Sequence, residues 1–249
     1  MSVKWKIGVL LPLIFFVKSY ALDFAIKPIR ININLPKTTA VFQIQSLTDK
    51  TITIETEIKS WDMNKDGSFK LSDTEDLVVV PPFIKLAPRQ KQLVKIAYLG
   101  EHDLKKQGTY RLYLKQLPRE LDLSKNPEKV ETAVQIVLHI SVPIFVNPQD
   151  VPLSYSLTFE PEEVSRKEVK ILVKNTGNAF SRIVKAILYK GDKEIFDRDY
   201  ALYILPGNEV EFVIKPPKDK TTNKEQEFTD IPDKVKIITE DEKEIIINL

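Results

Sequence analysis

The chain has 249 residues, of which 37 are lysine or arginine and 35 are aspartate or glutamate, so its formal net charge is only +2. Such a balance gives no strong basic field for nucleic acid or for an anionic membrane surface, and neither is expected as a partner. The chain has no cysteine, so disulfides do not contribute to its stability.

Residues 1–21 have the pattern of a secretory signal peptide. Two lysines precede an apolar run at 7–17, and Ser19-Tyr20-Ala21 has the small-x-small pattern of a cleavage site. The run is too short for a spanning helix, which needs about 20 apolar residues. We therefore predict an exported protein that begins near Leu22 and does not insert into a membrane. Removal of three lysines leaves 34 basic and 35 acidic residues, a net charge of −1.

Alternation of apolar and polar residues dominates the rest of the chain and predicts β-strands. It recurs in the segments 51–58, 92–96, 110–115, 168–174 and 210–215. Turn-forming sequences such as Asp66-Gly67 and Pro206-Gly207-Asn208 separate the predicted strands. Asp66-Gly67 is interpreted as the turn of a hairpin between a strand ending at Trp61 and another near Leu77. The fold class is therefore predicted to be all-β, built from sandwiches.

A polar segment with two prolines, residues 146–152, predicts a linker between domains. It divides the mature chain into 22–148 and 149–249, each of a size that suits one sandwich of roughly 100 residues. The charged segment 121–131 is predicted to be a long solvated loop. In the second domain, 215–233 is predicted to be a loop that precedes one closing strand at 235–247.

Three stretches of the first domain carry a resemblance to a known family. They are DLVVVPPFIKLAPRQKQLVKI at 76–96, YRLYLKQLP at 110–118 and VQIVLHISVPIFV at 134–146. Together they resemble the periplasmic chaperones of chaperone-usher pilus systems; a weaker likeness continues at 174–178 and 205–207. Tyr113 stands where the family usually has asparagine, and with the missing cysteines this makes the chain resemble the archaic branch.

The resemblance implies two immunoglobulin-like sandwiches in tandem and a location in the periplasm. It implies two kinds of partner, namely pilus subunits that lack a strand and an outer-membrane usher. It further implies a chaperone that binds subunits and delivers them, with no catalytic residues and no cofactor.

The predicted strand at 130–146 is the candidate subunit-binding element. Its even positions are apolar, and the resemblance implies that they enter the open groove of a subunit by donor-strand complementation, through Val134, Ile136, Leu138 and Ile140. The pattern alone favours an ordinary strand whose apolar face packs in its own core. The predicted length, well beyond the usual 5 to 6 residues or so, favours the donor strand.

The resemblance also implies two basic residues that hold the C-terminal carboxylate of the subunit. The first position falls on Arg30, whose guanidinium fork suits a carboxylate and does not deprotonate. The second position falls on Pro143, which carries no charge. Arg111 or Arg89 is therefore the candidate for the second positive charge.

No other pattern indicates chemistry. Residues 62–73 fit part of a calcium-loop pattern, but Asp73 replaces the usual bidentate glutamate and no helices flank the loop, so a hairpin turn is preferred. His102 and His139 lie in separate segments and form neither a zinc site nor a triad. We predict no enzyme, metal site or cofactor. The alternative function is an exported structural or adhesive sandwich that binds another protein or a glycan.

Overall fold

The structure is a computed structural model that describes residues 22–118, 137–219 and 221–249. Every helix or strand within these residues is a β-strand, which confirms the predicted fold class. No helix of the described part is long and apolar enough to cross a membrane. The predicted signal peptide and the predicted loop at 121–131 lie outside the described residues.

The first ten strands form two sheets. They are β1 (Phe24–Lys27), β2 (Ile31–Asn34), β3 (Thr39–Ser46), β4 (Ile52–Met63), β5 (Phe69–Asp73), β6 (Leu77–Val80), β7 (Phe83–Leu86), β8 (Lys91–Tyr98), β9 (Gly108–Gln116) and β10 (His139–Asn147). One sheet has the order β1-β3-β8-β6. The other has the order β2-β10-β9-β4-β5, and β7 also pairs with β4. A common apolar core lies between these two sheets.

The remaining strands form two further sheets around a second core. They are β11 (Leu157–Val164), β12 (Val169–Asn175), β13 (Ser181–Lys190), β14 (Lys193–Ile204), β15 (Glu209–Ile214), β16 (Lys234–Thr239) and β17 (Glu244–Asn248). The sheet orders are β11-β12-β15 and β14-β13-β16-β17. The predicted division after residue 148 falls between β10 and β11, and it stays a prediction.

Period-two alternation places one face of each strand in a core. On β8, Val94 and Ile96 are fully buried, whereas the intervening Lys95 is exposed and Leu93 is 68% exposed. Strand β9 follows the same rule with Leu112 and Leu114 in the first core. The burial of these apolar side chains, at about 25 cal/mol per Å², is the main stabilising contribution in a chain without disulfides.

The predicted partner of the strand that ends near Trp61 is wrong. Asp66-Gly67 does turn a hairpin, and Gly67 has the positive φ of 79° that favours glycine. The partner of β4 is β5, however, whereas Leu77 begins β6 in the opposite sheet. All five residues of β5 are exposed, so this strand has no burial pattern for the sequence to display.

The closing segment is also different from its prediction. Residues 235–247 are not one strand, because β16 and β17 form a hairpin. The polar run 240–243 interrupts the apolar alternation and makes the turn. Glu242 there has a φ of 63° and donates its backbone N–H to the carbonyl of Thr239 at 2.9 Å.

A pair of leucine substitutions tests the assignment of the first core. Leu112→Ala should lower the free energy of unfolding by about 2 to 5 kcal/mol, because it removes a fully buried side chain and leaves a cavity. Leu93→Ala, at a largely exposed position of β8, should change it by less than about 0.5 kcal/mol. Urea unfolding measures both. Equal effects would contradict the inward and outward faces described above.

Candidate functional site

Four aromatic rings join the two sandwiches, and we call them the aromatic cluster: Trp61, Phe145, Phe180 and Tyr203. The rings of Phe145 and Phe180 are stacked at 4.0 Å, and those of Trp61 and Tyr203 meet edge to face at 5.1 Å. Trp61 and Phe145 come from the first two-sheet unit but are buried within the second core. Contacts of this kind contribute beyond the buried area, so the cluster ties the second sandwich to the outer face of the β9-containing sheet.

Backbone and amide contacts reinforce this junction. Gln107 is buried, and its Oε1 accepts the backbone N–H of Phe180 at 2.8 Å. Its Nε2 donates to Oδ1 of Asn147 at 2.8 Å, at the end of β10. The backbone N–H of Glu211 donates to the carbonyl of Lys65 in the turn between β4 and β5 at 2.6 Å. The junction therefore orients the side chains that border it.

Arg30 lies at one side of the aromatic cluster, in the bend directly before β2. Its Nη2 donates to both carboxylate oxygens of Glu240, at 2.8 and 2.7 Å, and to the hydroxyl of Tyr203 at 3.4 Å. Its guanidinium carbon lies 4.9 Å from the centre of the Phe180 ring. Burial opposes the charge, but the hydrogen bonds to Tyr203 and Glu240 outweigh it and raise the pKa of Arg30. The group is thus permanently cationic.

Arg111 lies at the opposite side of the cluster, on β9. Its guanidinium carbon lies against the rings of Trp61 and Phe69, 4.6 and 4.4 Å from their centres, on one side of an aromatic pair whose own centres are 5.2 Å apart. Its Nε donates to Oγ of Ser141 at 2.7 Å, while the buried Nη1 has no hydrogen-bond partner within the described residues. Burial lowers the pKa of Arg111. In register it stands directly across from Pro143.

Strand β10 has an edge that is only partly paired. Along one edge it pairs with β9 from His139 to Val146. Along the other edge it pairs with β2 only from Ile144 to Asn147. Residues 139–143 therefore have no strand partner on that edge in the part of the chain that the structure describes, and we call this segment the open edge.

The open edge ends beside Arg30. Ile31 is the first residue of β2 and pairs with Ile144, and β2 runs parallel to β10. Arg30 precedes Ile31, so its side chain begins where pairing by β2 stops. Unpaired N–H and C=O groups along such an edge are a template for a strand from another chain.

The structure brings some of the predicted site residues together and not others. Leu138 and Ile140 are partly buried and pack against the first core, whereas Val134 and Ile136 lie outside the described residues. Arg30 and Arg111 flank the same aromatic cluster. Arg89 is remote from these contacts and pairs with Asp49 at 2.8 Å in an exposed ion pair.

Sequence reasoning missed the contribution of the second domain. Phe180, Arg182, Tyr203 and Glu240 all border Arg30, yet they lie on separate strands and turns far along the chain. No motif connects them in sequence. Only the short run Phe180-Ser181-Arg182, which places an aromatic and a cationic residue at the start of β13, gives a local signal.

The possible calcium loop is a hairpin turn in the structure. One oxygen of the Asp66 carboxylate accepts the backbone N–H of Ser68 at 2.9 Å and its hydroxyl at 2.6 Å. These hydrogen bonds lower the pKa of Asp66. Among the described residues, no three or more His, Cys, Asp or Glu side chains form a group that could hold a metal ion.

The fold and this site define a class: a two-sandwich protein that presents an open strand edge beside a guanidinium. Comparisons place the chain within that class. The family model for the N-terminal domain of PapD-type pili and flagellar-assembly chaperones matches residues 23–152, more than half of the chain. The chain therefore belongs to the family of pili and flagellar-assembly chaperones. No curated protein sequence matches it.

Solved structures share the fold over nine-tenths of the chain. The CsuC chaperone of the archaic Csu pili of Acinetobacter baumannii, in complex with the tip subunit CsuE, has a TM-score of 0.62 at 18% identity and covers 91% of this chain and 97% of its own. The SafB chaperone of Salmonella enterica, in complex with the pilin SafA, has a TM-score of 0.58 at 14% identity and covers 93% of this chain and 98% of its own. The E. coli chaperone DraB has a TM-score of 0.57 at 18% identity and covers 91% of this chain and 96% of its own. These neighbours confirm tandem immunoglobulin-like sandwiches, whereas the archaic branch stays a prediction.

Substitutions of Arg111 test whether its guanidinium contributes to the stability of the fold. Arg111→Met should leave the free energy of unfolding within about 1 kcal/mol of wild type or raise it, because an apolar side chain replaces a buried charge that has no acidic partner among the described residues. Arg111→Ala should lower it by about 2 kcal/mol or more, since it leaves a gap beside the rings of Trp61 and Phe69. Urea unfolding checks both. A loss as large with methionine as with alanine would show that the guanidinium itself holds the fold.

Proposed function

We propose that this chain is a periplasmic chaperone that binds pilus subunits by donor-strand complementation along the open edge of β10 and delivers them to an outer-membrane usher. The observation that carries the proposal is the open edge with a guanidinium at its end. Family membership favours this function over a structural or adhesive sandwich. The location rests on the family and on the signal-peptide pattern at 1–21, which we propose is cleaved.

The position of Arg30 selects the direction of the added strand. A strand that pairs with residues 139–143 lies in line with β2, ahead of Arg30. If it runs parallel to β10, its C-terminal carboxylate meets the guanidinium. An antiparallel strand would bring an amino terminus there, and two positive charges would repel each other. We therefore assign Arg30 to the carboxylate of a subunit that binds parallel to β10.

The apolar side chains of the donor segment supply the affinity. Leu138 and Ile140 are only partly covered by their own core. Together with Val134 and Ile136, we propose that they fill the groove of a subunit that lacks a strand. Each side chain that is fully buried contributes about 1.5 to 3 kcal/mol, before the cost of ordering both partners. Backbone pairing adds a sequence-independent part.

Arg111 is our candidate for the second positive charge. It stands across from Pro143, so the neighbouring strand supplies a cation at the level where β10 itself has none. Its buried, unpartnered Nη1 is consistent with a ligand oxygen as the missing acceptor. Function by strand addition needs no catalytic residue, metal or cofactor, and we propose none.

Loss of the Arg30 guanidinium should abolish subunit capture. Arg30→Ala, co-expressed with a pilus subunit, should weaken co-purification by about tenfold or more, because a charge-assisted hydrogen-bond pair to the carboxylate is lost. Arg89→Ala is the matched control, since it removes an exposed ion pair on the first domain. Circular dichroism verifies the fold of both variants. Normal capture by Arg30→Ala would move the anchor elsewhere.

Neighbouring positions on β10 separate a donor strand from an ordinary one. Ile140→Asp should destroy capture, because its carboxylate would be buried in the subunit groove without a partner. His139→Asp, on the opposite and exposed face, should retain capture. Thermal unfolding of the free Ile140→Asp variant provides the second readout. Collapse of the free protein would show that Ile140 serves its own core, whereas a retained transition with lost capture supports the proposal.

A further inference from the structure

A carboxylate already lies between two guanidiniums at the domain junction. Glu240 follows β16 and accepts from Nη2 of Arg30 with both of its oxygens, at 2.7 and 2.8 Å. Its Oε1 also accepts from Nη1 of Arg182 at 3.0 Å. The backbone N–H of Glu240 donates to the carbonyl of Arg182 at 2.9 Å, which fixes the residue at this place. These hydrogen bonds show that the junction can hold a carboxylate between two guanidinium groups.

The two guanidiniums come from different domains and rest on aromatic rings. Arg30 lies over Phe180, and Arg182, on β13, lies 5.3 Å from the centre of the Tyr203 ring. Cations placed over aromatic faces are attracted by them, and the stacking holds each planar group in one orientation. A carboxylate therefore finds a preformed pair of donors, which lowers the ordering cost of binding.

Hydrogen-bonding capacity at this place exceeds what Glu240 uses. Nε of Arg30, Nε of Arg182 and Oγ of Ser181 are buried and have no hydrogen-bond partner within the described residues. The Ser181 residue is only 3% exposed. Orphaned buried polar groups of this kind are uncommon in folded proteins. Three of them beside one carboxylate indicate a site built to bind a further acceptor.

The site is also open to a ligand. A cleft of about 230 Å³ is lined by Arg30, Ser181, Arg182 and Glu240 together with Tyr155 and Asp241. The side chains of both arginines are just over one-quarter exposed. The Asp241 carboxylate is already engaged, because it accepts from the hydroxyls of Tyr155 and Thr239, each at 2.6 Å. The two guanidiniums of the cleft balance the carboxylates of Glu240 and Asp241, so a further carboxylate is favoured where it takes the place of Glu240 between the guanidiniums.

We propose that Arg182 is a further carboxylate-binding residue of the subunit site and that Glu240 is an internal stand-in for the C-terminal carboxylate of the subunit. In the free chain Glu240 occupies the space between Arg30 and Arg182. On capture, the subunit carboxylate takes this place and Glu240 turns to solvent. Ion pairs at partly exposed positions contribute little to stability, so this exchange costs little free energy. The inference rests on the proposed function, and it places part of the anchor in the second domain.

Titration with sodium acetate, followed by NMR of the arginine Nε–H groups, tests the site without a subunit. Glu240→Gln should bind acetate about tenfold more tightly than wild type, because the internal competitor is gone. Adding Arg182→Met to Glu240→Gln should remove the saturable shift at Arg30. Glu244→Gln, at an exposed neighbouring position on β17, is the matched control and should behave as wild type. Sodium chloride at equal ionic strength corrects for screening.

Equal acetate affinity in wild type and Glu240→Gln, or an undiminished shift after Arg182→Met, would overturn the inference. Capture of a co-expressed pilus subunit is the second arm. Arg182→Met should reduce the captured subunit by about tenfold, whereas Arg198→Met, at an exposed position of β14, should not. If wild type captures no subunit, the proposed function fails while the acetate titration still decides whether the two-arginine site exists. If Arg182→Met loses acetate but retains capture, the inference fails and the chaperone function stands.

Discussion

The stacking of Phe145 on Phe180 is the contact on which the rest of the structure depends. Phe145 is an odd-numbered residue of β10, and its even-numbered neighbours Ile144 and Val146 point into the first core. One strand therefore contributes to two cores through its two faces. This arrangement fixes where the second sandwich sits against the first, and within the described residues it leaves the open edge of β10 available for strand pairing.

Edge pairing then divides β10 into two parts. Its C-terminal part is closed by β2, whereas residues 139–143 keep one edge without a strand partner in the described chain. Exposed edges of this type are ordinarily protected, because they aggregate. Here Pro143 lies within the open edge and has no backbone N–H to donate, which limits indiscriminate pairing. The charged cleft at its end supplies a second criterion that a partner strand must satisfy.

Aromatic rings at the junction stabilise the positive charges of the partly buried arginines. Guanidinium groups tolerate partial burial better than ammonium groups, because they are weakly hydrated and stack on rings. Arg111 against Trp61 and Phe69, and Arg30 over Phe180, are both held in this way. A lysine in place of Pro143 would have a flexible side chain and a strongly hydrated ammonium group. Arginines that stack on aromatic rings, contributed by neighbouring strands and by the second domain, keep the junction positively charged without a lysine at that position.

The sequence by itself determined the strand class, most strand positions and the family, because period-two alternation and the stretches at 76–96, 110–118 and 134–146 are local properties of the chain. Through the family resemblance it also pointed to Arg30, and to Arg111 or Arg89 for a second positive charge. It could not reveal the exposed strand β5, which displays no burial alternation. Nor could it reveal Arg182 and Glu240 beside Arg30, since these residues are separated by 152 and 210 positions in the chain. Their contact exists only because the aromatic cluster fixes the second sandwich against the first, and that is a property of tertiary packing alone.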